Sequence, residues 1–145
     1  MIGVTDSDGD CAEWSFPAAP GSVRSARHAV RDALHQWGYD GGLGDIAVLL
    51  VSELVTNSLR HASGPIGVRL VRPHPRHAGP GAQDDGQALL VEVSDPVPDE
   101  PTERTAGPED EGGRGLQLVA RSARRWGTQR GKSGKTVWFE LPLPG

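Results

Sequence analysis

The chain has 145 residues, the size of one ordinary domain, which is enough to bury a hydrophobic core without disulfides or metal ions. Its 19 acidic and 15 basic residues give a formal net charge of −4, which disfavours a nucleic-acid-binding domain because such domains usually carry a basic face. The single cysteine excludes an internal disulfide framework and indicates a reducing compartment.

The N-terminal segment Met1–Asp10 is polar and acidic and does not resemble a secretion signal. The longest strongly apolar stretch, Ile46–Val51, is too short to span a bilayer. We therefore expect a cytoplasmic protein that contacts neither a membrane nor nucleic acid directly. Residues 1–11 have no periodic pattern and are expected to form a flexible tail, which leaves one domain over residues 12–145.

The first predicted elements are a strand and two helices. Alternation of polar and apolar residues predicts a short strand over Glu13–Phe16. Apolar residues then recur at helical spacing from an expected N-cap at Ser22 until Gly38 ends the helix. A second N-cap is expected at Asp45, and a strongly apolar helix follows over Ile46–Ala62.

The pattern then changes to a period of two residues. Strands are predicted over Ile66–Arg72 and Leu89–Asp95, with a polar loop between them. The acidic, proline-containing stretch Pro96–Gly112 has almost no large apolar residue. Loops of this length are uncommon inside compact domains and are often functional lids.

The last predicted elements are a helix and a hairpin. Apolar residues at helical spacing from Leu116 to Trp126 predict the helix, and Trp126–Arg130 and Lys135–Leu141 flank a Gly-rich turn. The predicted order is strand, two helices, two strands, lid, helix and two strands. Three helices against a mainly antiparallel sheet give an α/β (α+β) two-layer sandwich.

Glu53 and Asn57 are four residues apart in the second helix, so both side chains project from one face. An amide oxygen can ligate Mg²⁺ without adding charge, and a carboxylate can accept a proton from a hydroxyl group. The alternative is that both residues lie on the solvent side of an amphipathic helix.

Two further features favour nucleotide chemistry. Asp95 ends an apolar strand, where its carboxylate can accept a hydrogen bond from a ligand amine, although an aspartate before a proline also favours a turn. The turn Gly112–Gly115 directly precedes a predicted helix, where glycines and helix N-terminal amides allow close approach of a phosphate.

The order of these motifs resembles the GHKL (histidine kinase-like) ATPase domain with its Bergerat ATP-binding fold, over about Glu13–Leu143. That family includes gyrase, the MutL repair protein, the heat-shock chaperone ATPase and the sensor histidine kinases. The stretch from Glu53 to His61, which reads ELVTNSLRH, is most similar to the stand-alone anti-sigma-factor serine/threonine kinases of bacteria. The resemblance implies an ATP-binding, Mg²⁺-dependent regulator whose partners are a sigma factor and an antagonist protein.

The resemblance also implies residue roles. Asn57 corresponds to the magnesium ligand, Glu53 to the general base and Asp95 to the acceptor of the adenine amino group. Thr136 corresponds to a threonine near the adenine that often acts through water. We expect the faces of Glu53 and Asn57 to line one cleft with Asp95, Gly115 and Thr136.

Further nucleotide contacts are expected at the glycine turn and at the end of the second helix. Gly113 and Gly115 correspond to glycines whose amides approach the phosphates, and Leu116 completes that motif. Arg60 and Arg114 suit phosphate by charge. His61 lies one helical turn beyond Asn57, where it can reach the phosphates or interact with the helix dipole.

The residues after Asp95 depart from the family pattern D-x-G-x-G. They read Asp95-Pro96-Val97-Pro98-Asp99, and the prolines remove amide donors and stiffen the backbone. This departure favours an alternative function, a non-catalytic regulator that uses nucleotide, or only the fold, to present a partner-binding surface.

Two other hypotheses are the detached ATPase half of a two-component sensor kinase and an ATP-hydrolysing machine. The first needs a separate histidine-bearing partner, and the second is disfavoured because no transducer domain follows. Exposed apolar groups on the first helix are compatible with a homodimer, with a partner face or with core packing.

Overall fold

The computed structural model describes residues 10–61, 64–73, 87–96, 111–131 and 134–143. The elements in these ranges, in chain order, are β1 (Cys11–Phe16), α1 (Gly21–Gln36), α2 (Gly42–His61), β2 (Ile66–Val71), β3 (Ala88–Asp95), α3 (Glu111–Ser122), β4 (Arg125–Gly131) and β5 (Gly134–Pro142). The predicted order and fold class are confirmed. Most of the predicted lid, residues 97–110, lies outside the described residues, as do Lys132 and Ser133 of the hairpin turn.

The five strands form one sheet in the order β1-β2-β3-β5-β4, and every neighbouring pair is antiparallel. Because side chains alternate along a strand, one face of the sheet collects the buried residues. Val68, Val93 and Val137 are buried cross-strand neighbours on that face. The three helices pack against it, so the sheet has one helix-covered side and one outer side.

The central helix α2 contacts α1, α3 and the sheet. Leu50, Val51, Leu54 and Val55 are all buried in it, whereas Ile46 and Leu49 of the same helix are exposed. By length and composition alone, its stretch Gly42–Arg60 could also cross a membrane, at a mean hydropathy of 1.4. A core helix passes the same test, and the packing of α2 is that of a core helix.

Both predicted N-caps are wrong, since each helix begins earlier than expected. α1 starts at Gly21 after Pro20, and the buried Ser22 lies in its first turn and donates its hydroxyl hydrogen to the Pro17 carbonyl oxygen. α2 starts at Gly42, so Asp45 lies inside its first turn. Gly38, by contrast, ends α1 as predicted, with a φ of +82° that favours glycine.

The third helix and the glycine turn are also shifted. α3 ends at Ser122, so the helix predicted to reach Trp126 is too long, and Trp126 lies in β4, where it pairs with Phe139 of β5. The glycines from Gly112 to Gly115 lie within α3, which starts at Glu111, and do not precede it. The expected turn is therefore the first part of the helix itself.

Candidate functional site

The structure brings Glu53, Asn57 and Gly115 together where α3 crosses α2. A Cβ atom added to Gly115 would lie 2.5 Å from Nδ2 of Asn57 and 3.7 Å from Cβ of Glu53. Real Cβ atoms do not approach this closely, so any other residue at this position would require the Asn57 amide to shift. Glu53 and Asn57, which the four-residue spacing placed on one face of α2, thus lie on the face that contacts α3.

Packing of α3 onto the core holds its N-terminal end at this position. Val119 is fully buried, and Leu116 packs partly against the core. Gly113 and Arg114 lie in the first turn, where backbone N–H groups lack partners within the helix and the helix dipole favours an anion. The start of α3 therefore provides chemistry that suits a phosphate group beside Asn57.

Asp95 occupies the end of β3 on the helix-covered side of the sheet. It is buried, and its Oδ2 accepts a hydrogen bond from the hydroxyl of Ser58 at 2.9 Å. Nζ of Lys135 lies 3.9 Å from the same oxygen. Because Ser58 follows Asn57 directly in α2, this helix connects the carboxylate with the Glu53 and Asn57 face.

The backbone at Asp95 and Pro96 is enclosed by two glycines. A Cβ added to Gly64 would lie 2.8 Å from Cγ of Pro96, and one added to Gly134 would overlap the Asp95 carbonyl oxygen. Gly134 also has a φ of +152°, which side chains rarely tolerate. The start of the proline-substituted turn is therefore closely packed, whereas Val97–Asp99 lies outside the described residues.

Thr136 does not share this side of the sheet. It pairs with Ser94 across β3 and β5, and the two hydroxyl oxygens are 2.8 Å apart. Since neighbouring side chains of a strand point to opposite faces, Thr136 lies on the outer side while Asp95 lies on the helix-covered side. The expectation that Thr136 lines one cleft with the other four residues is wrong in this structure.

The remaining expected contacts are only partly described. Arg60 is exposed near the end of α2. His61 is the last residue of α2, and the side chains of His61 and Arg114 lie outside the described set.

Sequence reasoning did not identify Ser58 and Lys135, the two partners of Asp95. Ser58 is one residue from Asn57, and the 3.6-residue helical period turns it toward the sheet. Lys135 is the cross-strand partner of Asp95, so an assigned β3–β5 register would have indicated it.

The site residues suit a magnesium nucleotide. Mg²⁺ is usually held by one or two protein oxygens together with substrate phosphates and water. The Asn57 amide supplies such an oxygen, and the Glu53 carboxylate lies one turn away on the same face. Within the described ranges, no cluster of three or more His, Cys, Asp or Glu residues could hold a metal ion by itself.

Comparison with known protein families gives a match. The model of the histidine kinase-like ATPase domain matches residues 16–141, which is most of the chain. No curated protein matches the sequence.

Proposed function

The chain belongs to the histidine kinase-like ATPase domain family, and from this premise we propose that it is an anti-sigma factor with serine/threonine protein kinase activity. The family membership supports ATP binding and a regulatory role. The observation that carries the proposal is the contact of Gly115 at the start of α3 with Asn57 and Glu53 of α2. It brings the Glu53 side chain and the Asn57 amide close to the N-terminal end of α3, which supports a shared role in nucleotide chemistry.

Each site residue has its own role in the proposed phosphoryl transfer. Asn57 would hold Mg²⁺, which neutralises charge on the phosphates when bound, and the first turn of α3 would hold phosphate oxygens. Glu53 would accept the proton of a serine or threonine hydroxyl on the partner protein. The hydroxyl oxygen then forms a bond to the γ-phosphorus, and the bond between that phosphorus and the ADP leaving oxygen breaks.

The proposed partners follow from the resemblance of the Glu53–His61 stretch to anti-sigma-factor kinases. The protein would sequester a sigma factor in the cytoplasm and phosphorylate an antagonist protein. A homodimer remains part of this proposal.

One observation favours a second candidate, a non-catalytic regulator on the same fold. The family pattern D-x-G-x-G has two glycines in the turn after the aspartate, whereas here the turn after Asp95 begins with Pro96. The Pro96 ring packs tightly against Gly64. A stiff turn at this point restricts how the backbone approaches a base. In this alternative, nucleotide or the fold alone would shape a partner-binding surface, and Glu53 would have no chemical role.

Substitution of Glu53 separates the two candidates. We expect Glu53→Gln to retain ATP binding and to slow phosphoryl transfer by roughly 10²–10⁴-fold, the usual contribution of a general base. The assay is transfer of labelled γ-phosphate to candidate antagonist proteins. Glu13→Gln, on an exposed position of β1, is the matched control and should transfer at the wild-type rate.

The stability of the product in acid completes this test. Phosphoserine and phosphothreonine survive acid treatment, whereas a phosphohistidine does not. An acid-labile product would identify the ATPase half of a two-component kinase, and a Glu53→Gln variant as active as wild type would refute the proposed base.

A further inference from the structure

Asp95 has a second charged group beside it on the helix-covered side of the sheet. Asp95 and Lys135 are direct cross-strand partners in β3 and β5, so their side chains project from the same face. Nζ of Lys135 is 3.9 Å from Oδ2 of Asp95, and the two side chains are 25% and 1% exposed. Lys135 is therefore the partly exposed member of the pair, and Asp95 is the buried one.

The pair offers complementary hydrogen-bonding groups. A lysine ammonium group only donates, and an ionised carboxylate only accepts. The edge of adenine likewise places a donor, the exocyclic amine, next to an acceptor, the ring nitrogen N1. A donor and an acceptor that lie side by side in the protein can therefore address both atoms of one base.

We propose that Lys135 and Asp95 together recognise the adenine edge, with Lys135 donating to N1 while Asp95 accepts from the exocyclic amine. This inference rests on the proposed function, since it assumes that Asp95 faces the base of a bound nucleotide. Lys135 is then a specificity-determining residue of the site.

Two neighbouring contacts support this assignment. The Ser58 hydroxyl donates to Oδ2 of Asp95 and so fixes the orientation of the carboxylate from the α2 side. Thr136, the residue expected to assist adenine recognition, is hydrogen-bonded to Ser94 on the outer side of the sheet. The side chain that β5 places next to Asp95 is thus Lys135.

Binding of ATP and of 1-deaza-ATP, which lacks the N1 acceptor, tests the proposal. Titration calorimetry compares the two ligands on the wild type and on Lys135→Met. We expect the wild type to bind 1-deaza-ATP roughly tenfold more weakly than ATP, the effect of losing one hydrogen bond to a charged group. In Lys135→Met the two ligands should bind equally. Arg130→Met is the control, because it removes one positive charge from the neighbouring strand of the same hairpin and should keep the tenfold preference.

Three other results of these titrations would contradict the proposed role of Lys135. Equal binding of both ligands by the wild type overturns the role of Lys135 without any variant, so a folding defect in Lys135→Met cannot obscure the answer. The same preference in the wild type and in Lys135→Met also overturns it. If the wild type binds neither ligand, the proposed function itself fails and this inference fails with it.

Discussion

At the residue scale, Gly115 links the two helices of the candidate site. A side chain at this position would disturb Asn57, because a Cβ atom would lie 2.5 Å from Nδ2 of Asn57. Asn57 would have to move, or α3 would have to lift from α2, to accept even a methyl group. The dependence on glycine is therefore a consequence of contact between α2 and α3, which brings residues far apart in sequence close together.

We expect Gly115→Ala to weaken Mg-ATP binding by roughly tenfold or more, because it displaces the Asn57 amide, which we propose as the magnesium ligand. Calorimetric titration of the purified variant measures this change. Gly42→Ala is the matched control, since a Cβ atom at that helix start would contact nothing within 4 Å. Unchanged ATP affinity in Gly115→Ala would show that the contact with Asn57 has no role in binding.

The individual site residues were predictable where one helix or one strand end determines their position. Glu53 and Asn57 follow from helical spacing, and Asp95 from the end of an apolar strand. Thr136 could not be placed from sequence because a shift of one residue in strand register moves a side chain to the other face of the sheet. The family resemblance pointed to Thr136 as a site residue, and only the β3–β5 pairing showed on which face of the sheet its side chain lies.

At the element scale, the ends of helices were the least predictable features. Ser22 and Asp45 are favourable N-cap residues, but α1 begins at Gly21 and α2 at Gly42, and helix ends are the positions that a sequence pattern defines least sharply. The C-terminal end of α1 was predictable, since Gly38 supplies a positive φ that few other residues adopt. The interiors of α1, α2, β2, β3 and β5 were predictable because their apolar periodicity matches their buried side chains, whereas the glycines at the start of α3 and the exposed strand β4 carry no such pattern.

The end of α1 also contains an exposed ion pair that responds to pH. Nδ1 of His35 and Oδ1 of Asp40 are 2.9 Å apart, and the hydrogen bond to Asp40 followed by its charge raises the pKa of His35 above 6.5. A raised pKa means that this pair stabilises the folded state at pH values below the unfolded pKa. The stabilisation is lost as pH rises through the folded pKa.

We expect Asp40→Asn to lower the pKa of His35 back toward its ordinary value, because the carboxylate charge is removed. The titration of the His35 ring signals by NMR in the two proteins measures the difference. Identical pKa values in the wild type and the variant would show that the pair does not form in solution.

Two glycines, Gly131 and Gly134, flank the turn of the β4–β5 hairpin, and only Gly134 occupies a position that requires glycine. Gly134 has a φ of +152° and faces the Asp95 carbonyl oxygen, whereas a Cβ atom at its cross-strand partner Gly131 would contact nothing within 4 Å. We expect Gly134→Ala to reduce the free energy of unfolding by roughly 1–3 kcal/mol, the usual cost of a strained backbone position. Gly131→Ala should leave it nearly unchanged. Urea unfolding of both variants measures this difference in stability, and equal unfolding midpoints would contradict the close packing at Asp95.

At the scale of the whole molecule, the fold separates two polar regions. The candidate site lies on the helix-covered side, between α2, the start of α3 and the adjoining ends of β3 and β5. The outer side of the sheet has its own network, in which Arg69 donates to Glu92 at 3.0 Å and Ser94 contacts Thr136. Among the residues that the structure describes, only the first region combines a helix N-terminus with the Glu53 and Asn57 pair, which suits it to phosphate chemistry.

The overall architecture was predictable because long periodic segments determine it and few arrangements bury them all. The family model, which spans residues 16–141, agrees with that architecture. The sequence could not show how closely α2, α3 and β5 approach one another, since those distances arise from tertiary packing. Ser58 and Lys135 became evident for that reason only in the structure.

The central claim is that Asn57 belongs to a magnesium-nucleotide site, and calorimetric titration of Mg-ATP into the pure protein tests it most directly. We expect saturable, magnesium-dependent binding by the wild type and no measurable binding by Asn57→Ala, with both proteins folded by circular dichroism. Absence of binding by the wild type at millimolar ATP, or equal affinity in Asn57→Ala, would contradict the claim.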